Sequence, residues 1–160
     1  MNLQEKYHEY QQVISGLKEN HGDQKLFKKI NLILNDRQLV SCMNDSKWFK
    51  LLQAIESLNF PPAFIVKCLT EEKDVLSENN LMNGIPSYLG NWQPFYKEAM
   101  PMFINIEYLL VKPLLAKFQG HLIKDLILDE STVFRAILTD LKLNFDEVGS
   151  CFKVFGYKSN

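Results

Sequence analysis

The sequence has little that marks a nucleic-acid-binding, nucleotide-binding or membrane-spanning protein. Its 18 basic and 19 acidic side chains give a net charge of −1, whereas a nucleic-acid binder needs a surplus of cations against phosphate. The seven glycines form neither GxGxxG nor GxxxxGK[ST], the loops that hold nucleotide phosphates. No apolar stretch approaches the roughly 18 residues of a membrane span, and no apolar segment of a signal peptide follows the first Met. We therefore expect a cytoplasmic protein that binds neither nucleic acid nor membrane.

Cysteine and histidine are also sparse. Cys42, Cys68 and Cys151 are odd in number and widely spaced, and the three histidines are isolated from one another. The short ligand spacings of a zinc site and the CxxC of a redox site are both missing. In a reducing compartment each cysteine is best explained as a small buried hydrophobe. We expect no metal and no cofactor.

The residues that are present indicate one globular domain of 160 residues, with 46% apolar and 23% charged side chains. Near the N-terminus, apolar residues recur at steps of three and four, as on one face of an amphipathic helix: Leu3, Tyr7, Tyr10, Ile14 and Leu17. The polar stretch 20–23 ends this helix, and a second helix is predicted over 24–35. The two form a helical hairpin, which we treat as an extension, residues 1–40, of the main domain.

The middle of the chain changes from helix to strand. Residues 44–46 supply N-caps for a third helix, which continues through Leu58 and is ended by Pro61-Pro62. The apolar run 63–69 predicts a strand. Residues 70–100 lack a clear period and predict a long loop or an irregular strand pair.

The second half predicts a sheet with one late helix. The expected elements are a strand over 103–111, a second strand within 117–128, a helix over 131–143 capped by Asp129 or Ser131, a turn over 144–149 and a final strand over 151–157. The fold class is therefore α+β: an N-terminal helical hairpin, then helices packed on a small, mainly antiparallel sheet. We expect one domain over 1–160, with its α+β core at 42–158.

The segment 70–98 contains the charge feature with the strongest functional implication. Four acids are followed by three large aromatic residues: Glu71, Glu72, Asp74, Glu78, Tyr88, Trp92 and Tyr96. Clustered acids steer a basic partner, and Tyr and Trp are enriched at interface hot spots. The alternative is a solvated loop with aromatics that belong to the core. The partner-binding interpretation predicts that these side chains are exposed and close together.

Two short motifs resemble a known family. Residues 42–48 (CMNDSKW) and 152–157 (FKVFGY) resemble the MN-x-[ST]-K-W start and F-x-V-x-GY end of a small bacterial α+β domain family of unknown function, across about 42–158. Such proteins recur beside polymorphic toxins, so the resemblance implies a non-enzymatic immunity protein. It would bind and neutralise a cognate toxin, such as a nuclease used in contact-dependent growth inhibition. No catalytic residue is carried over from the family.

The acidic character of segment 70–98 is consistent with the kind of toxin that the resemblance implies. Nucleases are often basic because their substrate is a polyanion, so an acidic inhibitor face would match them. The expected partner is accordingly a basic protein toxin. The oligomeric state stays open.

A second hypothesis is an adaptor that docks through the helical hairpin of residues 1–40. This hypothesis requires exposed apolar residues on the first helix, such as Tyr7, Tyr10 and Ile14. It needs no catalytic chemistry.

A third hypothesis is an enzyme with a site near His121. Asp125 or Glu107 would have to converge with this histidine in a concave pocket. An exposed, flat environment for His121 would contradict it, and a surface histidine is the alternative explanation.

Overall fold

The structure is a computed structural model that describes residues 2–19, 24–94 and 99–160. Within these residues the α-helices are α1 (Leu3–Glu19), α2 (Gln24–Asp36), α3 (Asp45–Ile55), α4 (Val75–Asn83) and α5 (Ser131–Asp140). The strands are β1 (Leu39–Ser41), β2 (Ala63–Cys68), β3 (Ile106–Lys112), β4 (Leu114–Lys117), β5 (Leu126–Asp129), β6 (Phe145–Val148), β7 (Cys151–Phe155) and β8 (Tyr157–Ser159). A short 3-10 turn, Phe103–Asn105, leads into β3.

The strands form one central sheet and two ribbons, all antiparallel. The central sheet has the order β2-β3-β7-β6, β1 pairs with β8, and β4 pairs with β5. The predicted α+β class, with an N-terminal pair of helices before the sheet, is confirmed.

The main core lies between one face of the central sheet and the helices. From β3 and β7, Leu109 and Val154 lie opposite each other on this face. The ring of Phe134 on α5 meets that of Phe152 edge-on, with centroids 5.2 Å apart. Trp48 on α3 is buried in the same cluster. Burying aromatic and aliphatic side chains of this size is the largest favourable contribution to folding.

Helix α1 is part of that core. Tyr10 and Ile14 are buried, and the Tyr10 hydroxyl accepts the backbone N–H of Phe103 at 2.8 Å. Tyr7 stacks on Phe49 of α3, with ring centroids 4.1 Å apart. The exposed apolar stripe that the adaptor hypothesis requires is therefore not present on this helix.

Helix α4 covers part of the opposite face of the sheet. Its Leu81 packs with Ala63, Leu110 and Cys151 in a smaller cluster. The Lys112 ammonium then donates to three carbonyls at the C-terminal end of α4, those of Leu81 and Met82 at 2.9 Å each and Gly84 at 2.6 Å. These carbonyls have no partner within the helix, so Lys112 fixes the end of α4 against β3.

Two predicted helix starts are confirmed. Asn44 caps α3, and its side-chain oxygen accepts the N–H of Lys47 at 2.8 Å. Helix α5 begins at Ser131 as predicted, but its N-cap residue is Glu130 and neither Asp129 nor Ser131; the Asp129 carboxylate accepts the N–H of Ser131 at 2.8 Å just before the helix. The predicted end of α3 was wrong: the helix stops at Ile55, well before the prolines.

Three other predictions need correction. Residues 70–100, predicted as a loop or strand pair, contain α4, which Asp74 caps by accepting the N–H of Ser77 at 3.0 Å. The predicted turn 144–149 contains strand β6, and the predicted final strand is divided into β7 and β8. Strand β4 was not predicted. These elements are short, and their stability comes from pairing and packing more than from an intrinsic period.

The two motifs meet in space. The N–H of Cys42 donates to the carbonyl of Gly156 at 2.8 Å. A Cβ on Gly156 would lie 2.1 Å from the carbonyl oxygen of Ile106 and 3.3 Å from the Trp48 ring. Only glycine allows this close approach, so the motif residues secure the contact between α3, β3 and the C-terminal strands.

Candidate functional site

Three of the predicted partner-binding acids are exposed. Glu71, Glu72 and Asp74 lie between β2 and α4. Hydrogen bonds from the side chain and backbone of Ser77 lower the pKa of Asp74 below its ordinary value. Asp74 therefore stabilises α4 as well as adding to the surface charge.

Glu78 and Trp92 do not lie on the surface, which corrects the expectation that they are exposed. Glu78 is 4% exposed and accepts a hydrogen bond from the Tyr108 hydroxyl at 2.7 Å. Trp92 is 6% exposed, and its indole N–H donates to the carbonyl of Pro62 at 2.7 Å. Glu78 is buried where α4 faces Tyr108 of β3, and Trp92 is buried against Phe64, with ring centroids 4.6 Å apart.

The predicted acids and aromatics do not form one cluster. Glu71, Glu72 and Asp74 precede α4, whereas the exposed Tyr88 follows it. Tyr88 lines a cleft with Ser77 in the first turn of α4, and Ser77 hydrogen-bonds Asp74, so only part of the predicted group is brought together. Tyr96 lies outside the described residues.

His121 has none of the surroundings that the enzyme hypothesis requires. The side chain is exposed in the segment between β4 and β5, and its described ring contact is with Phe118 at 5.5 Å. Asp125 is also exposed. Glu107 is held elsewhere, by Arg37 at 2.7 and 2.9 Å and by Lys67 at 3.2 Å. These ion pairs tie the end of α2 to the central sheet.

Several clefts open on the helical side of the described residues, and two of them lie beside α3. One, of about 620 Å³, is lined by residues of α1, α3 and the segment 90–93, including Gln53, Glu56 and Trp92. The other, of about 630 Å³, lies beside the start of α3 and is lined by Tyr10, Trp48 and other residues. His121 lines neither of them.

The cysteines and ionisable groups show no metal-binding arrangement among residues 2–19, 24–94 and 99–160. No group of three or more His, Cys, Asp or Glu side chains converges there. The three cysteines are free, and burial raises the pKa of each thiol, to about 11 for Cys68. Thiols with raised pKa are weak nucleophiles at neutral pH.

None of the described helices is long and apolar enough to cross a membrane.

The most distinctive surface is the ribbon of β4 and β5 with the segment beside it. The N–H of Ala116 donates to the carbonyl of Pro86 at 2.8 Å, which holds residues 85–89 along β4. Eight large apolar side chains on these segments are between 42% and 101% exposed, whereas Leu114, Leu115 and Leu128 are half-buried. We call the eight exposed side chains the hairpin surface: Ile85, Tyr88, Leu89, Phe118, Leu122, Ile123, Leu126 and Ile127. Large exposed apolar side chains gathered on one part of a molecule are typical of interaction sites in proteins.

Sequence reasoning included only Tyr88 of this surface. The run LIKDLIL in 122–128 is strongly apolar, but an apolar run of this length predicts a buried strand as readily as an exposed one. The exposure of these side chains appears only in the folded structure.

Comparison with known proteins gives a family match over most of the chain. Residues 30–160 match a family described as "Family of unknown function (DUF6678)". The match includes both motifs and extends the predicted range of about 42–158 toward the N-terminus, into α2. No curated protein and no solved structure matches the chain. On the strength of the family match, the chain belongs to DUF6678, a family of unknown function.

Proposed function

We propose that this protein functions without catalysis by binding another protein, a basic toxin that it neutralises. The single observation that carries the binding part of the proposal is the hairpin surface, a group of exposed large apolar side chains on and beside the β4-β5 ribbon. Such a surface is costly in water unless a partner covers it. Leu122 is 101% exposed and Phe118 66%.

Acidic side chains near these apolar residues support a basic partner. Asp125 and Asp129 border the apolar part of β5 and are exposed. Glu71, Glu72 and Asp74 add a second exposed acidic group at the other end of α4. An apolar centre with charged surroundings is the usual anatomy of a protein interface, in which the charges steer association.

The identification of the partner as a toxin rests on the sequence resemblance to immunity proteins. The motif residues that carry that resemblance are used for internal packing, as in the contact of Gly156 with Ile106 and Trp48. The interface therefore belongs elsewhere on the molecule, and the hairpin surface supplies a place for it.

The test is co-expression with the product of the neighbouring gene. We expect the two polypeptides to co-purify at a stoichiometric ratio, and the protein to rescue cells from the toxicity of that product. Leu122→Asp should weaken the complex at least about tenfold, because a buried unpaired carboxylate costs more than 1.4 kcal/mol. Leu32→Asp is the matched control, since Leu32 is 63% exposed on α2, away from the ribbon.

Charge reversal at Glu71 and Glu72 tests the acidic group that precedes α4 separately from Asp125 and Asp129. Glu71→Lys with Glu72→Lys should reduce the association rate and its dependence on salt. Asp74 is left unchanged because it caps α4. If both proteins are expressed and folded yet neither co-purify nor rescue growth, the proposal is wrong. Equal affinity for Leu122→Asp and Leu32→Asp would remove the hairpin surface from the interface.

A further inference from the structure

We propose that the outer edge of β5 pairs with an extended strand of the partner, a segment with apolar residues at its centre and a Lys or Arg on each side. This inference rests on the proposed function, because it describes how the partner is held. It names the backbone groups and the charges that would make the contact.

The register of the ribbon determines which backbone groups face outward. Ala116 lies opposite Ile127, and the Ala116 N–H donates to Pro86, away from β5. Residues opposite each other in an antiparallel pair alternate between hydrogen-bonded and non-hydrogen-bonded pairs. Ala116 and Ile127 therefore form a non-hydrogen-bonded pair, and the N–H and C=O of Ile127 point away from β4.

No described segment pairs with this outer edge. The ribbon has only two strands, and its register runs without a bulge from Leu114 opposite Asp129 to Lys117 opposite Leu126. Natural edge strands are protected from pairing by proline, lysine, bulges or a covering element. The sequence Leu126-Ile127-Leu128 contains none of these protections, and the side chains of Leu126 and Ile127 are each 44% exposed.

The charges at the two ends of β5 specify the partner strand. Side chains alternate between faces along a strand, so Asp129 shares the face of Ile127, and Asp125 immediately precedes the strand. On β4 the same face presents Leu114 and Ala116, which carry no charge. A strand laid beside β5 would gain from a cation near each aspartate and apolar residues beside the three central positions.

The same charges argue against a second copy of this chain as the occupant. The two-fold antiparallel register that pairs Leu126, Ile127 and Leu128 with one another places Asp125 opposite Asp129 of the second copy, twice. Like charges directly opposite each other across strands are destabilising. A basic strand from a different protein avoids this repulsion.

The experiment uses the capped peptide GSKVIVKSG and, for comparison, GSEVIVESG and GSKVPVKSG. We expect the lysine peptide to bind the full-length protein and to protect the Ile127 amide from hydrogen exchange. The glutamate peptide should bind more weakly because of repulsion. The proline peptide should not bind, because proline removes a backbone donor from the ladder.

Ile127→Pro tests the edge without removing a hydrogen bond inside the ribbon, because the Ile127 N–H is not used there. It should weaken binding of the lysine peptide at least about tenfold. The matched control is Ile127→Ala, which shortens the side chain but keeps the N–H, and should weaken binding less than Ile127→Pro. Circular dichroism and the unfolding midpoint of each variant establish that it is folded.

Reversing the charge at position 125 tests whether the edge of β5 selects a basic strand. Asp125→Lys should weaken the lysine peptide and strengthen the glutamate peptide, whereas Lys124→Glu, at the neighbouring position, should not strengthen the glutamate peptide. Equal effects of Ile127→Pro and Ile127→Ala would overturn edge pairing, as would the absence of lysine-peptide binding at millimolar concentration. Self-association that Ile127→Pro abolishes would replace the partner strand with a second copy.

Failure of this inference is distinguishable from failure of the proposed function. A toxin complex that forms and rescues growth while the Ile127 amide still exchanges freely would refute edge pairing and leave the proposed function intact. Peptide binding at the edge without any complex with the toxin would support edge pairing and refute the toxin as its partner.

Discussion

At the scale of single residues, the most unusual side chain is the buried ammonium of Lys112, which is 3% exposed. Burial of a cation is costly unless its donors are satisfied. Here three carbonyls at the C-terminal end of α4 satisfy them, and the partial negative charge of a helix C-terminus adds to the stabilisation.

Replacing Lys112 with Met should destabilise the protein by about 2–4 kcal/mol, because it leaves buried carbonyls without partners. The free energy of unfolding in urea measures the change. Lys50→Met, at an exposed position on α3, is the matched control and should shift this free energy by less than about 0.5 kcal/mol. Similar effects for the two variants would show that Lys112 does not hold α4.

The carboxylate of Glu107 predicts a dependence of stability on pH. Burial raises its pKa, but hydrogen bonds and ion pairs from Arg37 and Lys67 outweigh burial and lower the pKa below its ordinary value of 4.5. The unfolded chain therefore binds the proton more readily than the folded one, so this contribution is present above pH 4.5 and is lost as the pH falls through the folded pKa.

Glu107→Gln should accordingly cost more stability at pH 7 than at pH 3. Urea unfolding at the two pH values measures the difference, with exposed Glu71→Gln as the control. A penalty for Glu107→Gln that is the same at both pH values would contradict the role assigned to the ion pairs.

At the scale of secondary-structure elements, two glycines should respond in opposite directions to the same change. In Gly156→Ala the new Cβ meets the Ile106 carbonyl oxygen, so we expect a loss of more than about 2 kcal/mol. Gly16 lies in α1 with no atom within 4 Å of such a Cβ, so Gly16→Ala should stabilise by about 0.5–1 kcal/mol. Thermal unfolding of both variants tests this, and a neutral Gly156→Ala would refute the close approach.

Elements with strong local signals could be predicted from the sequence. Helices α1 and α2 lie where their three- and four-residue apolar steps predicted them. The Asn44 cap and strand β2 were also predicted correctly. Helix α4 was missed because it is short and begins with exposed apolar residues, Val75 and Leu76. Strand β6 was missed because its polar residues are paired with β7 at a sheet edge.

The candidate site could be predicted only in part. Exposure of Glu71, Glu72 and Tyr88 agrees with the expectation, whereas Glu78 and Trp92 are buried by contacts with Tyr108 and Pro62. These contacts join residues 30 positions apart in the chain, which no local pattern reveals. The hairpin surface was missed for the same reason, because exposure depends on what the rest of the fold leaves uncovered.

At the scale of the whole molecule, the family match begins at residue 30, yet α1 lies before it and packs into the main core. The apolar side chains that α1 contributes cover Trp48 and Phe103 on the helical side. The helix is therefore a structural part of this chain, although the matched family region does not include it.

Removing α1 should prevent cooperative folding or cost more than about 3 kcal/mol, because it exposes a large apolar surface. Urea unfolding followed by circular dichroism measures this. Tyr10→Phe, which removes only the hydroxyl that Phe103 donates to, should cost about 1 kcal/mol. A truncated chain with unchanged stability would mean that α1 is an appendage.

The pairing of β1 with β8 has a consequence for how the chain folds during synthesis. Leu39 pairs with Ser159, so β1 can pair only after the residues of β8 have been synthesised, whereas the end of α2 can already contact Glu107. Closing such a long loop costs entropy before any contact repays it, and high contact order slows folding. A strand that pairs this late is open to non-native pairing for longer during folding.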